Sequence, residues 1–456
     1  MVILNLGVFR SIMKKKIIIV TLILAVIILA SIFSLKMLLH PSFLPESITI
    51  EPSADMSLEK LKNPLEDVPY CSQETGFFCF YASCTMIFQY LGIDTNLREV
   101  LYYSGMGYSL IHRENVPLVE GGTVVAQLPE NMEFLSSIYG LSFSYWLPDT
   151  ALLSDEKCWQ EYWLRVKENI SHGLPILTGV EPSMLPSVRQ QFDIPKDVWD
   201  KLYLGGHSIV VVGYNETNGT VCYNDPAAGY FGKTIYGVYA WMNLSDFRKA
   251  VERHPNRYLI YVFKKISDPM PEKEAFELAH RRNIERLIGN HSLYKSQLGR
   301  MENLELGIHA ARALKEDFST GLKHRLRTSF IYKGQGREYL RWLIKNSFHL
   351  FLHKVYHPYS FLKSISPEED IYGWIALEKQ YTAEYLKTLD SPKIKHEADL
   401  FENEAKQWRR LSSYYNLFLE KNILIRLPRA IYIVKNMKNI LDNIISIEEE
   451  IILIQN

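Results

Sequence analysis

Hydrophobic and polar positions follow different periods in successive parts of this chain, and each period predicts a different kind of element. Ile17 to Leu35 is an unbroken run of 19 uncharged, mostly apolar residues. At about 1.5 Å per residue such a helix nearly spans a hydrocarbon core. Pro41 to Asn63 is polar and contains proline, which predicts a tether. Helix and strand patterns then mix. Phe80, Ala82, Met86, Ile87, Tyr90 and Leu91 predict a helix opening at Cys79, and Trp159 to Ile170 predicts another. Strands are predicted at Ile176–Thr178, in a hairpin made of Ser208–Tyr214 and Thr220–Asn224, near Lys233–Tyr239, and at Tyr258–Phe263. That layout is α+β.

From about Asp268 the strand pattern disappears. Lys273–Ile288, Leu304–Phe318, Glu338–Leu352, Ile371–Leu389 and Lys395–Leu419 repeat apolar residues every three or four positions. They predict a bundle of five to seven helices. The aromatic residues Trp342, Trp374, Trp408, Tyr414 and Tyr415 are expected in its core or an interface. Ile423 to Ile454 is very apolar but too charged for a second span, and is expected to pack on the bundle or lie on a membrane. The domain expectation is therefore a stub and anchor over 1–40, a tether over 41–63, an α+β domain over 64–266 and a helical domain over 267–456.

Charge refines this picture. Lys14, Lys15 and Lys16 precede the apolar run and a single Lys36 follows it, which predicts a cytoplasmic N-terminus with everything else extracytoplasmic. No small-x-small cleavage site is evident, so a single-pass anchor is expected rather than a removed signal peptide. The net charge of zero conceals an acidic stretch over 37–263, with 15 Lys or Arg against 26 Asp or Glu. From 264 onward the counts are 31 against 25. An acidic first domain and no clustered basic face argue against nucleic acid as a partner. The five cysteines (Cys71, Cys79, Cys84, Cys158 and Cys222) lack zinc-site spacing. With Cys79 free, the other four could make two disulfides or stay as buried thiols. No phosphate-binding glycine loop appears, and no cofactor or metal is implied.

The chemistry lies in a split constellation. Gln73 and Cys79 come early, and Gly205-Gly206-His207 and Asn224-Asp225-Pro226 follow at the two strands of the expected hairpin. A thiol becomes a useful nucleophile as a thiolate, which a helix N-terminus and a neighbouring imidazolium favour. The Cys79 backbone N–H and the Gln73 side-chain amide could serve a developing oxyanion. If Glu216 to Gly219 form the turn and Tyr214 faces Thr220, position 209 faces 225. His207 and Asp225 then share a face and Asn224 points away. A one-residue slip would favour Asn224 instead.

Together with Val68-Pro69-Tyr70, Ala82-Ser83, Leu91-Gly92, Gly173-Leu174-Pro175-Ile176, Val211-Val212-Gly213-Tyr214 and Asp225-Pro226, these residues resemble the bacteriocin leader-processing peptidases and their papain-like relatives. The pattern, over about residues 64 to 263, is also similar to the N-terminal domain of the butirosin-biosynthesis H acyltransferase. The resemblance implies a papain-like cysteine-peptidase domain with Cys79 as nucleophile, His207 as base and acid, Asp225 as orienter and Gln73 as oxyanion donor. The family usually has Gly directly after the cysteine, whereas this chain has Phe80 and Tyr81.

The expected function is a membrane-anchored, extracytoplasmic cysteine peptidase with a peptide or protein substrate. The alternatives are an acyl- or amidotransferase using the same thioester chemistry, and a binding module that keeps the fold without turnover. An external location weighs against the first of these, and the presence of Cys79 against the second.

Overall fold

The computed structural model describes residues 63–113, 119–121, 129–148, 153–190, 205–290, 293, 304–318, 371–420 and 427–455. All of them belong to one compact unit, Leu44–Asn456. The apolar run 17–35, residues 41–62 of the tether and the expected helix 338–352 with Trp342 lie outside the described residues. Among the described residues no helix is long and apolar enough to cross a membrane.

Helix α1 (Cys79–Tyr90) is followed by α2 (Leu97–Tyr103), strands β1 (Ile111–Arg113) and β2 (Val119–Glu120), α3 (Pro129–Ile138), β3 (Leu141–Trp146) and α4 (Asp155–Ser171). Next come β4 (Ile176–Val180), a short α5 (Pro186–Arg189), the hairpin β5 (His207–Asn215) and β6 (Thr220–Asn224), α6 (Ala227–Tyr230), β7 (Ala240–Asn243), α7 (Leu244–Glu252) and β8 (Ile260–Lys265). Six strands make one antiparallel sheet in the order β3-β8-β4-β5-β6-β7. The mixture of helix and sheet followed by helices is as expected. Two strand expectations need correction. Lys233–Tyr239 is a 3-10 turn over Thr234–Tyr236, and the strand begins only at Ala240. β3 is a further strand, not among those expected, although Leu141, Ser142, Phe143, Ser144 and Tyr145 alternate apolar and polar.

α1 is apolar on all sides because it is buried on all sides, from Phe80 to Phe88. Phe80 and Phe88 lie edge-on against Tyr261 and Phe263 of β8. Burying each such ring stabilises the fold by about 1.5–3 kcal/mol. Ser83 adds a polar tie, its hydroxyl donating to the Ser208 carbonyl at 3.3 Å. The first turn of α1 is thereby fixed beside the start of β5.

The β5–β6 register departs from expectation by one residue at the turn, where Asn215 rather than Tyr214 faces Thr220. A bulge at Val212 then absorbs the difference, and Val211 faces Tyr223 and Val210 faces Asn224, as the expected register requires. The cause is tertiary. The Val212 carbonyl accepts from Leu65 N–H at 2.8 Å, and Asn63 Oδ1 accepts from Tyr214 N–H at 2.9 Å. Gly213 makes room for this segment, since a Cβ there would lie 2.5 Å from Pro64 Cα.

Beyond the sheet, α8 (Glu272–Ile288) ends at Gly289, which has the left-handed conformation (φ 89°) that closes helices. Leu304–Leu306 is a strand, β9, paired with β1; only residues 308–318, α9, are helical. Three residues paired with a segment some 190 positions earlier leave no periodic trace. α10 (Ile371–Lys387), α11 (Pro392–Glu420) and α12 (Leu427–Gln455) pack together. Trp408 is fully buried between them and stacks on Tyr372.

α10 presents two different faces. Ile375, Ala376 and Lys379 point to α11 and α12, and the fully buried Lys379 ammonium is 2.6 Å from Glu404 and 3.2 Å from Glu448. Trp374, Glu378, Tyr381, Thr382 and Tyr385 recur at helical spacing on the other face. They meet residues of the α+β part. Trp374 packs on Phe77, Thr382 Oγ1 donates to the Met106 carbonyl at 2.9 Å, and Tyr385 packs on Tyr102.

Candidate active site

Cys79 is the first residue of α1, so its sulfur sits at the positive end of the helix dipole. Phe78 supplies no side-chain cap. Cys79 keeps some solvent exposure, whereas Cys84 one turn later is wholly buried.

His207 opens β5 and Asp225 follows β6 directly. His207 Nε2 lies 2.7 Å from Asp225 Oδ1. That leaves Nδ1 for the hydrogen bond His207 shares with Cys79. Burial alone would raise the Cys79 thiol. The hydrogen bond and charge of His207, with backbone N–H groups of Ser208 and Phe80, outweigh it and hold the thiol below its ordinary value. Burial alone would lower His207, but the Asp225 charge and hydrogen bond, then Cys79, raise it to about 10. Asp225 is buried, which raises its pKa, and His207, Ser187 and Ala227 together bring it below the usual carboxylate range. Thiolate, imidazolium and carboxylate are thus the charge states the surroundings favour.

Asp225 is held from every side. Its Oδ1 also accepts the Ala227 N–H at 2.9 Å, its own N–H donates to the Gly237 carbonyl at 2.7 Å, and its Oδ2 accepts the Ser187 hydroxyl at 2.5 Å. Ser187 has a single hydroxyl proton, which Asp225 takes. Its 3.1 Å contact with the Tyr223 hydroxyl is therefore one in which Tyr223 donates. Asn224 points the other way, accepting from Tyr239 N–H at 2.7 Å and donating to the Val68 carbonyl at 3.4 Å.

Gln73 is almost wholly buried, and its N–H donates to the Pro226 carbonyl at 3.2 Å. Its side-chain Oε1 has no hydrogen-bond partner among the described residues. An unpaired buried amide end is costly, on the order of 1–3 kcal/mol. A half-turn exchanges the oxygen and nitrogen ends, so either can be the one without a partner. Gln73 opens the loop that ends at Cys79. Thr75 N–H bonds back to the Gln73 carbonyl, and Glu74 is held in the left-handed region at φ 56°.

Three neighbours were not foreseen. Ser187 supports Asp225 from a segment, Pro182–Tyr203, that has no readable motif, and Tyr223 supports Ser187 from β6. The half-buried His254, just after α7, lies against the backbone leading to His207. A Cβ on Gly206 would be 2.9 Å from its Nε2, and one on Gly179 would be 2.5 Å from its Cε1. Burial lowers His254 to about 4, opposed by the Asn256 backbone and assisted by the His207 charge, so it is neutral. All five cysteines are free thiols, which leaves the disulfide option unused. Among the described residues no cluster of His, Cys, Asp or Glu is arranged to hold a metal ion.

Residues 65–250 match the Peptidase_C39 like family. The matched segment contains Gln73, Cys79, His207 and Asp225. A crystal structure of a presumed C39-like peptidase from Bacillus anthracis is similar at 13% identity, covering 44% of this chain and 96% of that one, with a TM-score of 0.27. No curated protein matches. The family match supports a cysteine-peptidase type of fold for this segment.

Proposed function

We propose that this chain is a papain-like cysteine peptidase that cleaves peptide or amide bonds through Cys79, His207 and Asp225, with Gln73 at the oxyanion. The observation that carries the reading is the Cys79–His207–Asp225 relay at the N-terminus of α1, within a segment similar to C39-like peptidases. The Cys79 thiolate attacks the carbonyl carbon, and the C–S bond forms as the carbonyl π pair moves onto oxygen. The Cys79 N–H and the Gln73 amide stabilise that oxyanion. His207 gives its Nδ1 proton to the leaving nitrogen as the C–N bond breaks. It then takes a proton from water, which attacks the thioester and releases the acid and the free thiolate. Asp225 keeps the imidazole oriented and stabilises its positive charge.

The apolar run Ile17–Leu35 and its flanking lysines support a single-pass anchor with the catalytic part outside the cytoplasm. The substrate would be a peptide or protein encountered there.

The test is alkylation of the full chain by iodoacetamide across pH 4 to 9, with the labelled cysteine identified by mass spectrometry in wild type and His207→Ala. Rapid labelling of Cys79 below pH 7 that is lost in His207→Ala supports an activated thiolate, and peptide cleavage abolished in Cys79→Ala completes the assignment. An ordinary thiol profile, unchanged by His207→Ala, would overturn it.

A further inference from the structure

The loop between Gln73 and Cys79 is not held by the α+β part alone. Glu74, the first residue after Gln73, has a backbone conformation that non-glycine residues adopt at a cost on the order of 1 kcal/mol. Its carboxylate Oε2 accepts the Tyr381 hydroxyl of α10 at 2.8 Å and faces Arg98 of α2 at 3.8 Å. Arg98 in turn lies over the Tyr381 ring and pairs with Glu384 one turn further along α10. The Tyr381 ring is edge-on to Phe78, the residue before Cys79, with centroids 5.0 Å apart, and Trp374 packs on Phe77. Both ends of the loop, Glu74 on one side and Phe77 with Phe78 on the other, are therefore braced by one face of one distant helix.

The neighbouring anchors fix that face in place. Thr382 is bound to the Met106 carbonyl, and Glu378 fills the space where a Gly121 side chain would be. On the reverse face, Lys379 is locked between Glu404 and Glu448. A helix clamped on both sides is a rigid support.

We propose that Tyr381 is a positioning residue of the active site. By holding Glu74 it sets the path of the loop so that the Gln73 amide and the Cys79 N–H converge on the oxyanion, and it makes the helical region a working part of the catalytic unit. The proposal rests on the cysteine-enzyme reading above. It adds that oxyanion stabilisation depends on α10, whereas the Cys79–His207 pair, held by α1 and β5, does not.

That difference gives the test. Iodoacetamide alkylates a thiolate by displacement at a saturated carbon and creates no oxyanion. p-Nitrophenyl acetate acylates it through a tetrahedral oxyanion, the C–S bond forming and p-nitrophenolate leaving with the electron pair of the broken C–O bond. Both reagents would be applied to the full-length wild type, Tyr381→Phe, Glu74→Ala and the double variant. Tyr381→Phe keeps the ring against Phe78 and loses only the hydroxyl. The expected result is alkylation within twofold of wild type and a p-nitrophenolate burst about tenfold slower, with the double variant no slower than the slower single. Equal bursts in wild type and Tyr381→Phe would overturn the proposal. So would a parallel loss in both reactions, which would make Tyr381 merely structural. A wild type with neither His207-dependent alkylation nor a Cys79-dependent burst would sink the underlying enzyme reading, and this proposal with it.

Discussion

Replacing Ser187 by alanine isolates the support of the buried carboxylate. Asp225 Oδ1 has two donors, His207 and the Ala227 N–H, but Ser187 is the donor seen on Oδ2 at 2.5 Å. A hydrogen bond to a charged group contributes about 1.5–3 kcal/mol, and here the abandoned oxygen is fully buried. The expected loss is about 2 kcal/mol at pH 7, or roughly 2–3 °C in Tm for the Leu44–Asn456 unit if it unfolds as one. The pH dependence separates charge from packing. Asp225 has a depressed native pKa, so its contribution is present above the unfolded value and is lost as pH falls through the native one. Removing Ser187 raises that native value. The difference between wild type and Ser187→Ala should therefore be constant above about pH 5 and shrink below about pH 4. Urea unfolding followed at pH 7, 5, 4 and 3 measures it. A difference that stays the same at all four pH values would show that the serine fills space rather than solvating a carboxylate. No difference at all would mean that Tyr223 can take its place, and the relay from Tyr223 through Ser187 would be wrong.

Cys79→Ala and His207→Ala should each abolish peptide turnover, the first with little change in Tm and the second with a loss of stability because the buried Asp225 carboxylate loses its charged partner, and Asp225→Asn should reduce the rate less than either, as kcat/KM would show. Asn224→Ala should cost about 1–3 kcal/mol of stability through its lost bonds to Tyr239 and Val68 while sparing Cys79 alkylation. A severe loss of alkylation instead would refute the observed register. The His207 charge is raised in the folded protein, so it contributes stability below about pH 6.5, and that contribution is lost as pH rises through about 10. Thiolate reactivity should accordingly begin below pH 7 and its His207 dependence should fade toward pH 10. Glu397 is buried and raised to about 7, with Tyr108 and Gln455 donating to it. A raised carboxyl favours the folded state at low pH and loses that advantage as pH climbs from its unfolded value to 7. Glu397→Gln should therefore stabilise the protein by about 1–3 kcal/mol at pH 8 and by little at pH 4, measured by urea unfolding.

The nearness of Cys79, His207 and Asp225 could be read from the chain because local signals carry it. Cys79 stands where turn residues give way to a helical period, and His207 and Asp225 flank a strand pair with a recognisable turn between them. The position of the turn at Glu216–Gly219 was legible, but the bulge at Val212 was not, because it answers to Asn63 and Leu65 rather than to its own neighbours. Ser187 was hidden for a related reason: a serine in an irregular segment has no period, and only the fold brings it to Asp225. β9 was hidden because three residues cannot establish alternation. The helices after residue 370 were legible at their ends, since their periods are long. Which of their faces would meet the Gln73–Cys79 loop was not, because Tyr381 looks the same as any core aromatic at helical spacing.

The Glu74–Tyr381 contact spans 307 positions, and this has a consequence for the order in which the protein is made. Synthesis at about 5–20 residues per second leaves roughly 15–60 s between the emergence of the loop and that of its brace. During this interval the nascent chain carries the Cys79 thiol at the end of a loop whose strained turn lacks its contact with Tyr381. Contacts so distant in sequence also form late in folding. A chain interrupted anywhere between β8 and α10 would contain every residue of the relay and still lack the support beneath it. The ribosome must therefore nearly finish its work before Cys79 is fully seated.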